Sequence, residues 1–171
     1  MSSSFSRFAH HAQIIFLAFG IIALAGCGFH LRGPQALAFS TVHVSAGKNT
    51  SLGVALRRQI ALSGSTTVEE DASRAETKLQ ILTNERSREI LSLTATGKVR
   101  EYELIQTIRF RLTERDGKEL IPPSTLSARR EYTFSDELVL GKEQEEALLY
   151  NDMEGDLVRQ LMRRLAAWQR P

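Results

Sequence analysis

The stretch Val99-Arg100-Glu101-Tyr102-Glu103-Leu104-Ile105-Gln106-Thr107-Ile108-Arg109-Phe110-Arg111-Leu112-Thr113 decides the fold. Successive strand side chains point to opposite faces, so Tyr102, Leu104, Ile108, Phe110 and Leu112 share one side. Glu101, Glu103, Thr107, Arg109 and Arg111 take the other. A strand that is apolar on one face alone needs a cover on that face only.

The turn residues on either side extend this strand into a sheet. Upstream, Thr96-Gly97-Lys98 forms a hairpin turn behind one long strand that runs from Thr77 to Arg88 and raggedly on through Ile90, Leu91 and Leu93. Downstream, Asp116-Gly117 turns the chain and Pro122-Pro123 breaks the connection. Leu126, Ala128, Tyr132 and Phe134 then alternate in a further strand. Nearer the N-terminus, Thr41-Val42-His43-Val44 is β-branched and alternating, and Gly47-Lys48-Asn49 closes it. Ser51 is placed to cap a helix over Leu52–Leu62, with Leu52, Leu56 and Ile60 on one face, and Gly64 ends it. Thr66-Thr67-Val68 has the composition of a short edge strand.

A last helix is expected from about Glu143 to Trp168, with Tyr150, Leu157, Leu161 and Leu165 in its apolar stripe. Glu143, Glu145 and Glu146 in its first turn, and Arg163, Arg164 and Arg170 at its end, would complement the helix dipole. Gly155 is its weak point. The expected fold is therefore an α+β two-layer sandwich: a mostly antiparallel four-stranded sheet packed against two helices, in the order β-α-β-β-β-α.

The first residues read differently. Arg7, His10 and His11 precede an apolar run from Ile14 to Ala25, which is short for a membrane span and suited to a signal peptide. Small residues at Ala25 and Gly26 then lead to Cys27, the only cysteine in the chain. This arrangement resembles the lipobox of bacterial lipoproteins. The resemblance implies that residues 1–26 are cleaved and that Cys27 carries an S-diacylglycerol and an N-acyl chain. Residues 27–40 would then be a lipidated tether, and residues 41–171 a single domain. Several acyl chains attach a protein without a spanning helix. In that class an Asp after the cysteine commonly retains the protein in the inner membrane. Gly28 stands here, which points to the outer membrane and a periplasm-facing domain. With its one thiol lipidated the chain has no disulfide, so the fold rests on its core.

The 22 Lys+Arg and 20 Asp+Glu nearly balance, and the signal removes only Arg7 from that count, so nothing draws the chain to nucleic acid. Beyond the signal only His30 and His43 remain, leaving no catalytic or metal-ligating constellation. Gly47-Lys48-Asn49-Thr50 lacks the upstream glycine of a phosphate loop. Ser63-Gly64-Ser65 lacks the glycines flanking a nucleophile elbow. A binding or structural role is left, with no enzyme chemistry and no cofactor beyond the covalent lipid.

Cys27-Gly28-Phe29-His30-Leu31-Arg32-Gly33 is similar to the mature N-terminus of the LptE family of lipopolysaccharide-assembly lipoproteins. Leu52 to Leu62, Gly97 to Leu104 with Glu101-Tyr102-Glu103, and Gln160-Leu161-Met162-Arg163-Arg164-Leu165 add weaker matches. The resemblance implies an outer-membrane lipoprotein that plugs the lumen of the β-barrel LptD, supports its assembly, and forms with it the translocon that places lipopolysaccharide in the outer leaflet. Such a lumen is polar and suits a surface of mixed sign, which Glu103, Arg109 and Arg111 would supply. Lipopolysaccharide is an anionic amphiphile, so its contacts are expected at cations near the ends of rigid elements: Lys98 and Arg100 at the hairpin, and Lys142 before the last helix. The competing reading is a free-standing periplasm-facing lipoprotein that binds an anionic amphiphile or a cell-wall component.

Overall fold

The computed structural model describes residues 36–135 and 139–169. The signal, Cys27 and the Cys27–Gly33 motif lie outside the described residues. The elements are β1 (Thr41–Val44), α1 (Ser51–Leu62), β2 (Thr67–Val68), β3 (Thr77–Leu93), β4 (Val99–Glu114), β5 (Glu119–Thr133) and α2 (Val139–Ala167). The strands form one sheet in the order β2-β1-β3-β4-β5. β3, β4 and β5 are antiparallel, whereas β1 runs parallel to both β2 and β3. The α+β, mostly antiparallel class is as expected. The count is corrected from four strands to five, because Thr67 and Val68 pair with Thr41 and Val42.

Both helices cover one face of the sheet. Leu104, Ile108, Phe110 and Leu112 of β4 are fully buried beneath Met153, Leu157, Leu161 and Leu165 of α2, in one cluster with Leu52, Leu56 and Ile60 of α1. Leu37 and Phe39, within the expected tether, belong to this core, and the Phe39 ring lies 6.4 Å from that of Trp168.

Three local expectations change. Thr50, not Ser51, caps α1: its hydroxyl accepts the Gly53 N–H at 3.1 Å while its backbone is extended. The prolines do not break the chain. Pro122 and Pro123 lie within β5, opposite Arg111, where the β4–β5 register shifts between the Phe110–Ser124 and Leu112–Ile121 pairs. An edge strand with a bulge tolerates the missing N–H groups. Finally, α2 begins at Val139 instead of Glu143, so its first turn contains no acidic residue, and Glu145 and Glu146 have side-chain partners instead of a dipole role.

The β1–α1 connection packs closely. Thr50 N–H and its hydroxyl both donate to the Gly47 carbonyl, at 3.1 and 2.8 Å, and Arg57 donates to the carbonyls of Val44 and Ala46. A Cβ on Gly53 would stand 2.1 Å from that Gly47 carbonyl oxygen. Alanine normally stabilises a helix interior relative to glycine. Here Gly53→Ala is expected to cost about 1–3 kcal/mol through overpacking, measured by urea unfolding; a gain in stability would refute the close approach.

Candidate ligand and partner surfaces

The long antiparallel hairpin places the two ends of the domain far apart. β3 has 17 residues, which at about 3.3 Å each spans about 55 Å. The chain enters beside the start of β3, where Ser40 N–H donates to Glu76 Oε2 at 2.8 Å and Val42 pairs with Thr77. At the far tip the turn is closed by Thr94 N–H donating to the Lys98 carbonyl at 2.7 Å, with Gly97 at φ +81°.

All three cations singled out from the sequence lie toward this tip. Lys98 is exposed on the turn itself. Arg100 donates through Nε to Ser92 Oγ at 3.2 Å and pairs through Nη2 with Glu101 at 3.1 Å. The Ser92 hydroxyl, and then Arg100, hold the Glu101 carboxyl below its usual range. Lys142 reaches Thr133 Oγ1 at 3.4 Å, and Thr133 pairs with Glu101 across the sheet. Its ammonium binds Glu145 at 2.7 Å and its side chain is only 16% exposed, so it can meet a ligand only by sharing that partner. Residues missed from the sequence stand at the same end: Ile90, Leu91 and Leu93 on β3, and Val139 and Leu140 at the start of α2, are large, apolar and exposed. Adjacent apolar residues at 90 and 91 were the available signal, because they cannot both face a core in a regular strand.

Register shifts between Ile90 and Ser92 and between Ser92 and Leu93 coincide with the ragged end of β3, and an earlier bulge sets the facing of its middle. Ile81 pairs with Phe110 and Thr83 with Arg109, so Leu82 is an extra residue and inverts the alternation beyond it. Asn84, Arg86 and Arg88 thereby share the helix-facing side with Ile108, Gln106 and Leu104. They meet α2 as a polar seam. Arg86 binds Glu154 at 3.1 Å and lies 4.9 Å from the Tyr150 ring centre, while Ser51 donates to the same carboxylate at 3.0 Å. Tyr150 donates to the Ser87 carbonyl at 2.9 Å. Arg88 binds Glu146 at 2.9 Å above the Tyr102 ring, which stacks on Tyr132. Burial, followed by its hydrogen bond to Glu146, pushes the Tyr132 phenol up to about 12, so it remains a donor. This seam fastens α2 to the tip half of the sheet, where no α2 residue before Tyr150 is fully buried.

The opposite sheet face has no helix on it among the described residues. It carries mixed charge: Glu103 pairs with Arg129 at 2.8 Å, Arg111 lies 3.8 Å from Glu119, and Arg109 is exposed. The short sequence motifs resolve into structure. Lys48 pairs with Glu70, Gly47 supports the α1 cap, and His43 Nδ1 lies 3.1 Å from the Glu69 carbonyl. Among the described residues no group of three or more His, Cys, Asp or Glu is disposed to hold a metal ion. No described helix is long and apolar enough to cross a membrane.

Residues 39–165 match the family model described as LptE, Lipopolysaccharide-assembly. A relative from Pectobacterium atrosepticum, named LPS-assembly lipoprotein LptE, is 31% identical over 163 residues, covering 94% of this chain and 83% of the relative. A namesake from Photorhabdus laumondii is 25% identical over 161 residues, covering 91% and 86%. Among solved structures, an uncharacterized lipoprotein B from Nitrosomonas europaea superposes with a TM-score of 0.68 at 34% identity, over 82% of this chain and 91% of that one. The rare lipoprotein B from Shewanella oneidensis gives 0.66 at 26% identity, over 75% and 95%.

Proposed function

Since this chain belongs to the LptE family of lipopolysaccharide assembly, we propose that it is an outer-membrane lipoprotein, lipidated on Cys27, that plugs the β-barrel LptD and with it forms the translocon for lipopolysaccharide. The observation that carries the plug reading is the length of the hairpin. A bilayer with its headgroups is about 40–45 Å thick, and the tip stands about 55 Å from the point where the chain enters the domain. A domain tethered in the periplasmic leaflet and aligned with a barrel axis would carry its tip to the level of the outer leaflet. The uncovered sheet face, of mixed sign, suits a polar lumen.

At that tip Lys98, Arg100 and Lys142 would contact the anionic groups of lipopolysaccharide, with Leu91, Leu93 and Leu140 available to its apolar part. The joint change Lys98→Ala, Arg100→Ala and Lys142→Ala is expected to lower lipopolysaccharide affinity of the purified domain about tenfold or more, since each charge-assisted hydrogen bond removed costs roughly 1 kcal/mol. Unchanged affinity removes the assignment.

Extraction of the tagged protein in mild detergent tests the partnership. Recovery with an outer-membrane β-barrel in near-equal amount is expected. Recovery alone, still lipidated, would support the free-standing amphiphile binder instead.

A further inference from the structure

β1 flanks β3 only across Thr77, Lys78 and Leu79. The pairing ends where Ser45 N–H donates to the Leu79 carbonyl and Ile81 N–H donates to Ser45 Oγ, both at 3.0 Å. From Thr83 to Ile90 β3 pairs without interruption with β4 on one side, and no described strand flanks the other. Every residue from Asn84 to Leu91 is exposed, as an interior strand would not be. The remaining edges are blunted: β2 has two residues, and β5 carries the proline bulge. An open edge presents a row of backbone donors and acceptors to another strand.

We infer that the β3 edge from Thr83 to Ile90 receives an extended segment of the β-barrel partner by strand addition, with Lys or Arg of that segment on the uncovered face. This rests on the partnership proposed above. The charges select the occupant. On the uncovered face Glu89 lies opposite Glu103, and Glu103 opposite Glu131, so three carboxylates form one row across three strands. Like charges directly opposite destabilise a sheet. Arg129 offsets only Glu103 at 2.8 Å, leaving Glu85 and Glu89 exposed beside the open edge. On the helix side Arg86 and Arg88 are already neutralised by Glu154 and Glu146. Arg109, opposite Thr83, is a cation on the uncovered face, and with Glu85 and Glu89 at the edge an incoming strand meets net negative charge there and neutralised arginines on the helix side.

A second copy of this chain fits poorly. In the antiparallel register centred on Ser87, Arg86 would face Arg88 and Glu85 would face Glu89 of the other copy. Centring on Arg86 or Arg88 sets that arginine against itself.

Amide hydrogen exchange on the full lipidated chain, alone and in the complex extracted in mild detergent, tests the inference. Edge-facing amides between Thr83 and Ile90 are expected to exchange freely alone and at least tenfold more slowly in the complex, with Glu85→Gln plus Glu89→Gln erasing most of that protection. Equal exchange in both samples overturns the inference. Protection already present in the isolated chain also overturns it, because the chain's own N-terminal segment or a second copy then holds the edge. If no barrel accompanies the wild-type chain, the partnership itself fails, and this occupant with it.

Discussion

Arg86→Ala is expected to destabilise the domain by about 3 kcal/mol, an unusually large loss for a side chain that is 40% exposed. The cost arises at its partner. The Glu154 side chain is 7% exposed and is held by Arg86 from β3 and Ser51 from α1, so one carboxylate joins both helices to the sheet. Removing the arginine strands that buried charge with a single hydroxyl donor. Glu154→Ala should cost less, about 2 kcal/mol, because the released guanidinium can turn to water. Replacing the pair together, Arg86→Met with Glu154→Leu, should restore most of the loss, since a buried ion pair is often matched by well-packed apolar residues. Chemical unfolding of the three variants checks the pattern. Equal, small losses for both single changes would show that the pair is solvated and that α2 is held by its apolar stripe alone.

The same seam shows where sequence reading stops. β4 is legible because its alternation runs unbroken from Tyr102 to Leu112, and five of its six helix-facing residues in that run are apolar. The sixth, Gln106, is fully buried and donates to Asn84 Oδ1 at 3.0 Å. β3 is legible as a strand but not in its facing. Leu82 inserts one residue, and parity counted from Leu79 and Ile81 would put Thr83 and Glu85 toward the helices, where Asn84 and Arg86 stand instead. A bulge is a property of the paired ladder, and nothing in one strand's composition marks it.

The start of α2 escapes sequence reading for a related reason. Val139, Leu140 and Leu148 are exposed, so the helix extends past its core and its first turns carry no stripe that periodicity could detect. Glu146 suggests a dipole partner in the sequence because its true partners, Arg88 and Tyr132, come from strands distant along the chain. The tip cations are legible because Gly97 fixes the turn beside Lys98 and Arg100. The apolar residues around them become significant only once β3 and α2 are seen to end at the same place.

The second large effect concerns enclosure by the barrel. Cys27 is the only cysteine in the chain, and in this account its sulfur carries lipid, so any introduced thiol is a unique reporter. Ser127 is exposed on the uncovered sheet face opposite Thr107, midway along β5. Lys118 lies in the Asp116-Gly117 turn at the end where the chain enters, with its N–H bonded to Asp116 Oδ1 at 3.0 Å. In a barrel lumen the first position is walled off from a bulky reagent, whereas the second stays near the periplasmic mouth. The direct measurement is the rate at which a polymer-linked maleimide modifies Ser127→Cys and Lys118→Cys in protein extracted with its native partners. The plug account predicts that the thiol at 127 reacts at least tenfold more slowly than that at 118 until the barrel is denatured. Equal rates at the two positions before denaturation would contradict it.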